Sequence, residues 1–245
     1  MNEELLKKMK KIKPEISNEV TNEGHILTLS GAVRKKAWYD EENTEFINMD
    51  SVSESLEGVT GDITIRLNSG GGDVFEGIEI YNYLKNLENK VIIEVTALAA
   101  SAASIIAMAG DEIKMCTGST MMIHEASTIA LGTKSDIQKV LNSLETIDES
   151  IVSIYAERTN TDIETVKGWV EEETWFTADE AIEVGLADGK RDKETNNVIE
   201  LDVEAITEQV AANLEQRFTA YFKSKENTAK HKATGLNKLF NKKGE

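Results

Sequence analysis

The sequence predicts an α/β fold. Three short apolar runs of strand type follow one another along the chain, at Asp62–Leu67, Val91–Ala97 and Met121–Ile123. A helix with apolar residues at helical spacing separates the first two and extends from Val74 to about Asn86. Strand, loop, helix and strand in this order form a right-handed βαβ unit, and alternating units of this kind predict a sheet packed against helices.

Hydrophobic alternation and turn residues predict further elements on both sides of this unit. The additional strands are His25–Val33, Glu112–Cys116 and Thr120–His124. The additional short helices are Glu3–Ile12, Ser51–Leu56 and Ser101–Ala109. Capping boxes at Thr161–Glu164 and Thr177–Glu180 predict the starts of two more helices, because the first and last side chains of such a box satisfy each other's backbone N–H groups.

The longest periodic run extends from Thr133 to Arg158 and predicts an amphipathic helix of about seven turns. A helix of this length exceeds what a compact domain usually needs. Its apolar stripe consists of Ile137, Val140, Leu141, Leu144, Ile147, Ile151, Ile154 and Tyr155. We expect the stripe to expose a large apolar face on an isolated subunit, which monomers seldom leave in water.

The composition is that of an acidic globular protein. The 245 residues carry a formal net charge of −17, which argues against nucleic acid as a general partner. No apolar run reaches the roughly 18 residues of a membrane span, and the N-terminus lacks the features of a signal peptide. We therefore expect a cytoplasmic protein without a membrane partner. Cys116 is the single cysteine, so neither an internal disulfide nor a cysteine-based metal site is predicted.

The charge is distributed unevenly along the chain. Residues 1–13 carry five Lys against two Glu, and residues 218–245 carry seven Lys against two Glu, whereas the part between them is strongly acidic. We predict a basic N-terminal arm over residues 1–22, a central domain over residues 23–200, and a basic, partly helical extension over residues 201–245. Solvated, poorly ordered ends are favoured over a binding role for both arms.

A glycine run follows the first strand of the βαβ unit. It is not a phosphate-binding Walker loop, because no Gly-Lys-Ser/Thr follows, and Phe75 stands where a dinucleotide-binding loop needs its third glycine. Backbone N–H groups without obstructing side chains at a helix N-terminus can hold an oxyanion. The alternative is a tight strand-to-helix turn that requires positive φ.

Ser101 stands where a strand turns into a helix, between two pairs of alanines. A nucleophile at such a turn gains a neighbouring N–H group, and small flanking residues let a substrate carbonyl approach. This is the logic of a nucleophile elbow, although the Gly-x-Ser-x-Gly sequence is absent. A serine that caps a buried helix explains the position equally well. Ser104, one turn later, points into the helix packing and is the weaker candidate.

His124 is the one histidine of three that ends an apolar strand, whereas His25 and His231 lie in or near the ends of the chain. It is therefore the general base available to activate a serine. A buried histidine with satisfied hydrogen bonds is the commoner explanation for a single such residue. A serine and a histidine at the ends of different strands favour catalysis, because the carboxyl ends of strands carry the working groups in open α/β sheets.

Together these segments resemble the Clp-type proteolytic subunits, the ClpP family of serine peptidases, over roughly Ile63 to Asp188. Asn68–Gly72 resembles the family's Asn-Ser-Pro-Gly-Gly loop, with Gly70 in place of proline. The remaining similar segments are Ala99–Ala102, which resembles the nucleophile segment, Met122–His124, which resembles Met-Ile-His, and Thr177–Asp188, which resembles the C-terminal signature.

The resemblance implies a ClpP/crotonase-type fold, with stacked βαβ units and a long protruding handle helix at 133–158. It implies Ser101 as the nucleophile and His124 as the base, with the N–H groups of Gly72 and Ala102 as the oxyanion hole. Polypeptide substrates, heptameric rings stacked in pairs, no cofactor and no metal follow from the same resemblance, as does a Clp-type ATPase as a possible partner.

The sequence departs from the family pattern at the acidic member of the catalytic triad. The family has an aspartate four residues before the Ser-Ala of its C-terminal signature, and this chain has Glu173 there. A glutamate can orient a histidine, but its extra methylene requires a different local backbone. Glu173 is therefore the predicted third member, and its role is open at this point.

The segment that begins at Glu173, Glu-Thr-Trp-Phe-Thr-Ala, resembles the Clp-related head-maturation proteases of tailed phages. This similarity implies processing of scaffold and capsid proteins in the host cytoplasm or inside the prohead. A housekeeping proteolytic subunit that works with an unfoldase is the alternative. A crotonase-like acyl-CoA enzyme and an inactive ring-forming scaffold are more remote alternatives.

Overall fold

Parallel strands at the centre of one sheet carry the residues singled out above at their carboxyl ends. A computed structural model describes residues 12–21, 24–42 and 44–191. Within these ranges the strands are β1 Glu15–Thr21, β2 Gly24–Ser30, β3 Ile63–Ser69, β4 Val91–Ala100, β5 Glu112–Met115, β6 Thr120–Ile123, β7 Thr174–Thr177 and β8 Gly189–Lys190. The helices are α1 Met49–Leu56, α2 Val74–Lys85, α3 Ala102–Ala107, α4 Lys134–Thr159, α5 Ile163–Glu171 and α6 Ala178–Glu183.

The sheet has the strand order β1-β2-β3-β4-β5-β8, with β6 and β7 branching from β4. The pairs β2–β3, β3–β4, β4–β5, β4–β6 and β5–β8 are parallel, whereas β1–β2 and β6–β7 are antiparallel. The predicted α/β fold with βαβ connections and one long helix is confirmed.

Strand β4 is long enough to pair with two different neighbours along its length. Its first half, Ile92–Val95, pairs with β5, and its last residues, Leu98–Ala100, pair with β6. The sheet therefore splits at β4, and the ends of β3, β4 and β6 lie side by side. The residues that follow these three strands meet at one edge of the sheet.

Every second residue of the central strands faces the core, as the two-residue repeat of a strand requires. In β3 these residues are Ile63, Ile65 and Leu67, all buried. The apolar faces of α2 and α3 cover them, and α3 is buried on all sides, as its sequence predicted. The capping box at Thr177 opens α6 as predicted, because the Thr177 hydroxyl accepts from the Glu180 N–H.

Several boundaries differ from the sequence-based expectations. The first strand ends at Ser30 rather than Val33, and β4 continues through Ala100. The start of α5 was also predicted wrongly, because its N-cap is Asp162, which accepts from the Thr165 N–H, and not Thr161. Asp162 replaces the expected cap because its carboxylate reaches the first-turn N–H groups, whereas the Thr161 hydroxyl donates to the Thr159 carbonyl.

Strands β1, β7 and β8 were not predicted. Strand β1 is mostly exposed and pairs through one edge only with β2, so it needs little apolar sequence. Strands β7 and β8 have four and two residues, and each depends on a partner far away in the chain. Most of the predicted helix Glu3–Ile12, the boundary at residue 200 and the extension 201–245 lie outside the described residues, so the predicted domain limits stay predictions.

Helix α4, the handle helix, is buried along only part of its length. Ile151, Val152 and Tyr155 are its buried residues, all in the C-terminal half. In the N-terminal half Ile137 and Leu141 are 47% and 48% exposed. The expectation of a continuous exposed stripe is therefore wrong for Ile151 and Tyr155, which pack into the core of their own subunit. The stripe is exposed only towards the start of the helix.

Tyr155 anchors the handle helix to the centre of the fold. Its hydroxyl forms a hydrogen bond of 2.8 Å with the Ser104 hydroxyl of α3, and both side chains are buried. Burial raises the pKa of Tyr155 well above its usual range, so the phenol stays neutral. Ser104 in turn donates to the Ser101 carbonyl at 2.6 Å. The anchor thus reaches the turn at the end of β4.

We expect Tyr155→Phe to lower the free energy of unfolding by about 0.5–1.5 kcal/mol, because it removes one buried hydrogen bond while Ser104 keeps its second partner. Urea unfolding followed by circular dichroism measures the change. Tyr83→Phe is the control, since Tyr83 also packs against the core while its hydroxyl has no hydrogen bond within the described residues. Equal free energies of unfolding for Tyr155→Phe and Tyr83→Phe would contradict the anchoring role of the Tyr155 hydroxyl.

Candidate active site

Ser101 occupies a strained turn between β4 and α3. Its backbone has φ 55° and ψ −129°, a conformation that side-chain-bearing residues seldom adopt. The surroundings hold it there, because the Ser101 N–H donates to the Met122 carbonyl at 2.9 Å and its carbonyl accepts from the Ser104 N–H at 2.9 Å. The turn directs the hydroxyl away from the strand, towards the end of β6.

His124 follows β6 directly and meets Ser101 there. The parallel pairing of Ala100 with Met122 brings the ends of β4 and β6 to the same level. The Nε2 atom of His124 lies 2.8 Å from the Ser101 Oγ atom, within hydrogen-bond distance. A base placed in this way can remove the hydroxyl proton, and so activate Ser101 as a nucleophile.

The glycine run after β3 packs against the same turn. A Cβ atom at Gly71 would lie 2.7 Å from the Ser101 Cβ atom and 2.5 Å from the Ala100 carbonyl oxygen. A Cβ atom at Gly72 would lie 2.1 Å from the Val33 carbonyl oxygen. Both glycines also have positive φ, 86° and 150°. Only glycine fits these two positions, for reasons of space as well as conformation.

Two backbone N–H groups beside Ser101 are available for a ligand. Within the described residues, the N–H groups of Gly72 and Ala102 donate to no protein acceptor. Both residues line a cavity of about 360 Å³ that also contains Ser101 and His124. Apolar side chains of α2, α3 and α4 contribute to the wall of this cavity, namely Val74, Phe75, Ile105, Val140, Leu144, Ile147 and Ile151.

Glu173 lies next to His124 through the pairing of β6 with β7. The last antiparallel pair of the two strands is Ile123 with Thr174. His124 follows Ile123 and Glu173 precedes Thr174, so the two residues stand opposite each other just beyond this pair. Glu173 has φ 51°, the left-handed conformation, and its Oε1 accepts a long 3.5 Å contact from the indole N–H of Trp175. The sequence motif thus places a carboxylate beside the imidazole, on an unusual local backbone.

Asp148 is a second carboxylate near His124, which the sequence analysis did not identify. It lies on α4, and its Oδ1 atom accepts from the Ala126 N–H at 2.7 Å. A signal was present in the sequence, because Asp148 precedes the buried Val152 and Tyr155 by four and seven residues and so shares their face of the helix. An acid on the buried face of a helix requires a partner.

Burial lowers the pKa of His124 below its ordinary value of 6.5, and the negative charges of Glu173 and Asp148 partly oppose this effect. The imidazole is therefore mainly neutral near pH 7 and able to accept a proton. For Asp148, burial raises the pKa, whereas the Ala126 N–H and the charge of His124 lower it.

The structure thus brings together Ser101, His124, Gly72, Ala102 and Glu173. It keeps the other candidates apart from this group, since Ser104 turns towards Tyr155 and His25 contacts Asn18 at 2.9 Å. His231 is outside the described residues. Within residues 12–21, 24–42 and 44–191, no group of three or more His, Cys, Asp or Glu side chains could hold a metal ion. No described helix is long and apolar enough to cross a membrane.

A serine hydroxyl on a strained strand-to-helix turn, with an imidazole at hydrogen-bond distance and two free N–H groups, is the arrangement that serine hydrolases use. Comparison with known proteins gives the family. The family model described as Clp protease matches residues 9–193. The chain belongs to the Clp protease family, and the predicted resemblance to Clp-type proteolytic subunits is confirmed.

Individual relatives have matching names. The chain is 33% identical over 129 residues to the ATP-dependent Clp protease proteolytic subunit of Bacteroides thetaiotaomicron, a stretch that covers 52% of this chain and 59% of that protein. It is 33% identical over 129 residues to proteolytic subunit 3 of Rhodococcus jostii, covering 52% of this chain and 64% of that protein. The match to the subunit of Ligilactobacillus salivarius is 34% over 130 residues, or 52% and 66% of the two chains. The chain thus spans roughly six tenths of the length of these relatives.

We expect the reaction of Ser101 with a fluorophosphonate to depend on pH with a midpoint below 6.5, because burial favours the neutral imidazole. Glu173→Gln should move the midpoint to still lower pH, since removal of the negative charge destabilises the imidazolium. Labelling rates measured across pH give both midpoints. Glu172→Gln is the control, because Glu172 is exposed. A midpoint above 6.5, or equal shifts in the two variants, would contradict this account.

Proposed function

We propose that this chain is the peptidase subunit of a serine endopeptidase that cleaves polypeptides within an oligomeric chamber. The observation that carries the proposal is the 2.8 Å contact between the His124 Nε2 and Ser101 Oγ atoms at a strained elbow. Family membership and the names of the relatives support the same reaction class.

The first half of the reaction acylates Ser101. Its Oγ atom attacks the carbonyl carbon of the scissile bond while His124 takes the hydroxyl proton at Nε2. The carbonyl oxygen becomes negatively charged, and the N–H groups of Gly72 and Ala102 stabilise it. When the C–N bond breaks, His124 gives the proton to the departing amine, and the acyl group stays on Ser101.

Water completes the cycle. His124 removes a proton from a water molecule, whose oxygen attacks the acyl carbon, and the proton then returns to Ser101 as the ester bond breaks. Glu173 stabilises the imidazolium at both stages, because its negative charge lies beside the ring. Asp73, which caps α2 with its own side chain, keeps the glycine run in place during the cycle.

The apolar wall of the cavity supports a peptide substrate. A 360 Å³ space beside Ser101 can take one apolar side chain of a peptide. The Ser101–His124 contact counts against the acyl-CoA alternative, because an enolate-binding site needs paired N–H groups but no activated serine. It also counts against an inactive scaffold, which has no need of a strained serine.

Two biological settings are compatible with this activity. Head maturation of a tailed phage is favoured by the sequence Glu-Thr-Trp-Phe-Thr-Ala around Glu173. Housekeeping proteolysis with an ATPase has as much support as head maturation, because the relatives are named ATP-dependent Clp protease proteolytic subunits. Portal and major capsid genes beside this one would decide for head maturation, and an adjacent Clp-type ATPase gene would decide for housekeeping.

Ser101→Ala tests the proposed activity. We expect loss of fluorophosphonate labelling and a fall of at least about 10⁴-fold in the cleavage of a labelled unfolded protein, because the Ser101 Oγ atom forms the bond to the acyl group. Ser150→Ala is the control, since it removes an exposed hydroxyl that bonds to the Thr146 carbonyl of its own helix and does not line the cavity. Ser104→Ala should still be labelled, because its hydroxyl supports the Ser101 turn and is not the nucleophile. Labelling that follows Ser104, or that survives Ser101→Ala, would show that the assignment is wrong.

The exposed half of α4 supports assembly through the handle helix. Apolar residues are exposed in the segment before the helix and in its first turns, namely Ile129, Leu131, Ile137 and Leu141. Contact with a second copy would remove them from water, which is favourable by about 25 cal/mol per Å² of apolar surface. The cavity beside Ser101 is lined by the same helix, so assembly and activity are linked.

We expect Ile137→Glu combined with Leu141→Glu to give smaller species with reduced fluorophosphonate labelling, because the charges prevent burial of the exposed face. Light scattering and labelling on one sample provide the measurement. Gln138→Glu with Asn142→Glu is the matched control, since it adds the same charge at the same spacing on exposed positions of the helix. A wild-type protein that is monomeric and fully reactive would refute this role of the helix.

A further inference from the structure

Asp148 connects the handle helix to the segment that follows His124. Its Oδ1 atom accepts from the Ala126 N–H at 2.7 Å, two residues beyond the imidazole. Strand β6 ends at Ile123, where its pairing with β7 also ends. The backbone on the far side of His124 is therefore held by a side chain of α4 and not by the sheet.

Asp148 differs from the other acids of the same helix. Glu145 and Glu149 are exposed, whereas Asp148 is half-buried and shares its helix face with the buried Val152 and Tyr155. A buried carboxylate is costly unless hydrogen bonds compensate for the lost water. Among the described residues, Ala126 provides the hydrogen bond that compensates Asp148. The position of Ala126 is thus fixed with respect to α4.

Asp148 lines a second cavity, which shares two residues with the cavity that contains Ser101. The cavity that contains Ser101 is lined by Glu125 and Ala126, and both residues line the second cavity between α4 and α5, together with Asp148. The other charged residues around the second cavity are Glu145, Glu149, Glu164, Lys167 and Glu171. Asp148 therefore does not line the cavity that contains Ser101. It contacts the segment after His124 from the side of the second cavity.

We propose that Asp148 is a positioning residue, which holds the backbone after His124 through the Ala126 N–H and so sets the distance between the imidazole and Ser101. This inference rests on the proposed function. Without the hydrogen bond, the segment from His124 to Ala126 loses its attachment to α4, and the imidazole moves away from the hydroxyl. A displacement of about 1 Å at a reacting group can cost on the order of 10²-fold in rate.

Two roles of Asp148 can be separated by choice of variant. Asp148→Asn keeps an oxygen that can accept from the Ala126 N–H and removes only the charge, whereas Asp148→Ala removes both. Among the described residues, the charged groups that act on His124 are Glu173, from the side of β7, and Asp148, from the side of α4. Loss of either charge favours the neutral imidazole, so Asp148→Asn should shift the pH midpoint of labelling downwards.

The experiment compares full-length wild type, Asp148→Ala, Asp148→Asn and the exposed control Glu149→Ala. Cleavage of a labelled unfolded protein gives kcat and KM, and fluorophosphonate labelling across pH gives the midpoint. We expect Asp148→Ala to lose about 10²-fold in kcat with KM little changed. Asp148→Asn should keep most of the activity with a lower midpoint, and Glu149→Ala should match wild type.

Different outcomes separate this proposal from the proposed function. A wild-type protein that does not react with the fluorophosphonate overturns the proposed function and this role with it. A reactive wild type with Asp148→Ala equal to Glu149→Ala overturns only the role of Asp148, and so do equal losses in Asp148→Ala and Asp148→Asn. If Asp148→Ala does not fold by circular dichroism, Asp148→Leu fills the same space without an acceptor and takes its place in the comparison.

Discussion

The positive φ of Ser101 is the constraint on which the rest of the site depends. A non-glycine residue in such a conformation costs about 1–3 kcal/mol, and it persists only when its surroundings require it. Here the surroundings are the Met122 carbonyl, which accepts from the Ser101 N–H, and the Ser104 hydroxyl and N–H, which donate to the Ser101 carbonyl. Ser104 is itself fixed by Tyr155 of α4. The strain is thus supported by three different elements of the fold.

The same turn explains the glycine run. Its two interpretations, a tight turn and a carrier of free N–H groups, do not exclude each other, because Gly71 and Gly72 have positive φ and also face backbone at distances that no Cβ atom tolerates. Val33 closes the arrangement from the other side, with its N–H donating to the Gly71 carbonyl at 3.0 Å and its carbonyl accepting from the Asp73 N–H at 2.7 Å. The loop is held between two neighbouring segments, and Gly72, whose N–H has no acceptor among the described residues, lines the cavity.

The sequence predicted what depends on local pattern. The two-residue repeats predict β3, β4 and β6, and the ends of these strands predict that Ser101 and His124 lie at one edge of the sheet. The short strands β1, β7 and β8 escaped prediction because their stability comes from partners far away in the chain. The contact of Asp148 with Ala126 escaped for the same reason, since neither residue belongs to a motif. The features that were predicted depend on local sequence preference, whereas those that were missed depend on pairing with residues far away in the chain.

The two members of the Ser–His pair are supported in different ways. Ser101 is held by its own strand, by α3 and by the neighbouring β6. His124 stands at the end of β6, with Glu173 opposite it and the next contact of its segment made by Asp148. Asp148 lies where α4 passes from its exposed to its buried half. Helix α4 therefore contacts both members of the pair, the segment after His124 through Asp148 and the Ser101 turn through Tyr155 and Ser104, so the position of this one helix bears on the distance between the base and the nucleophile.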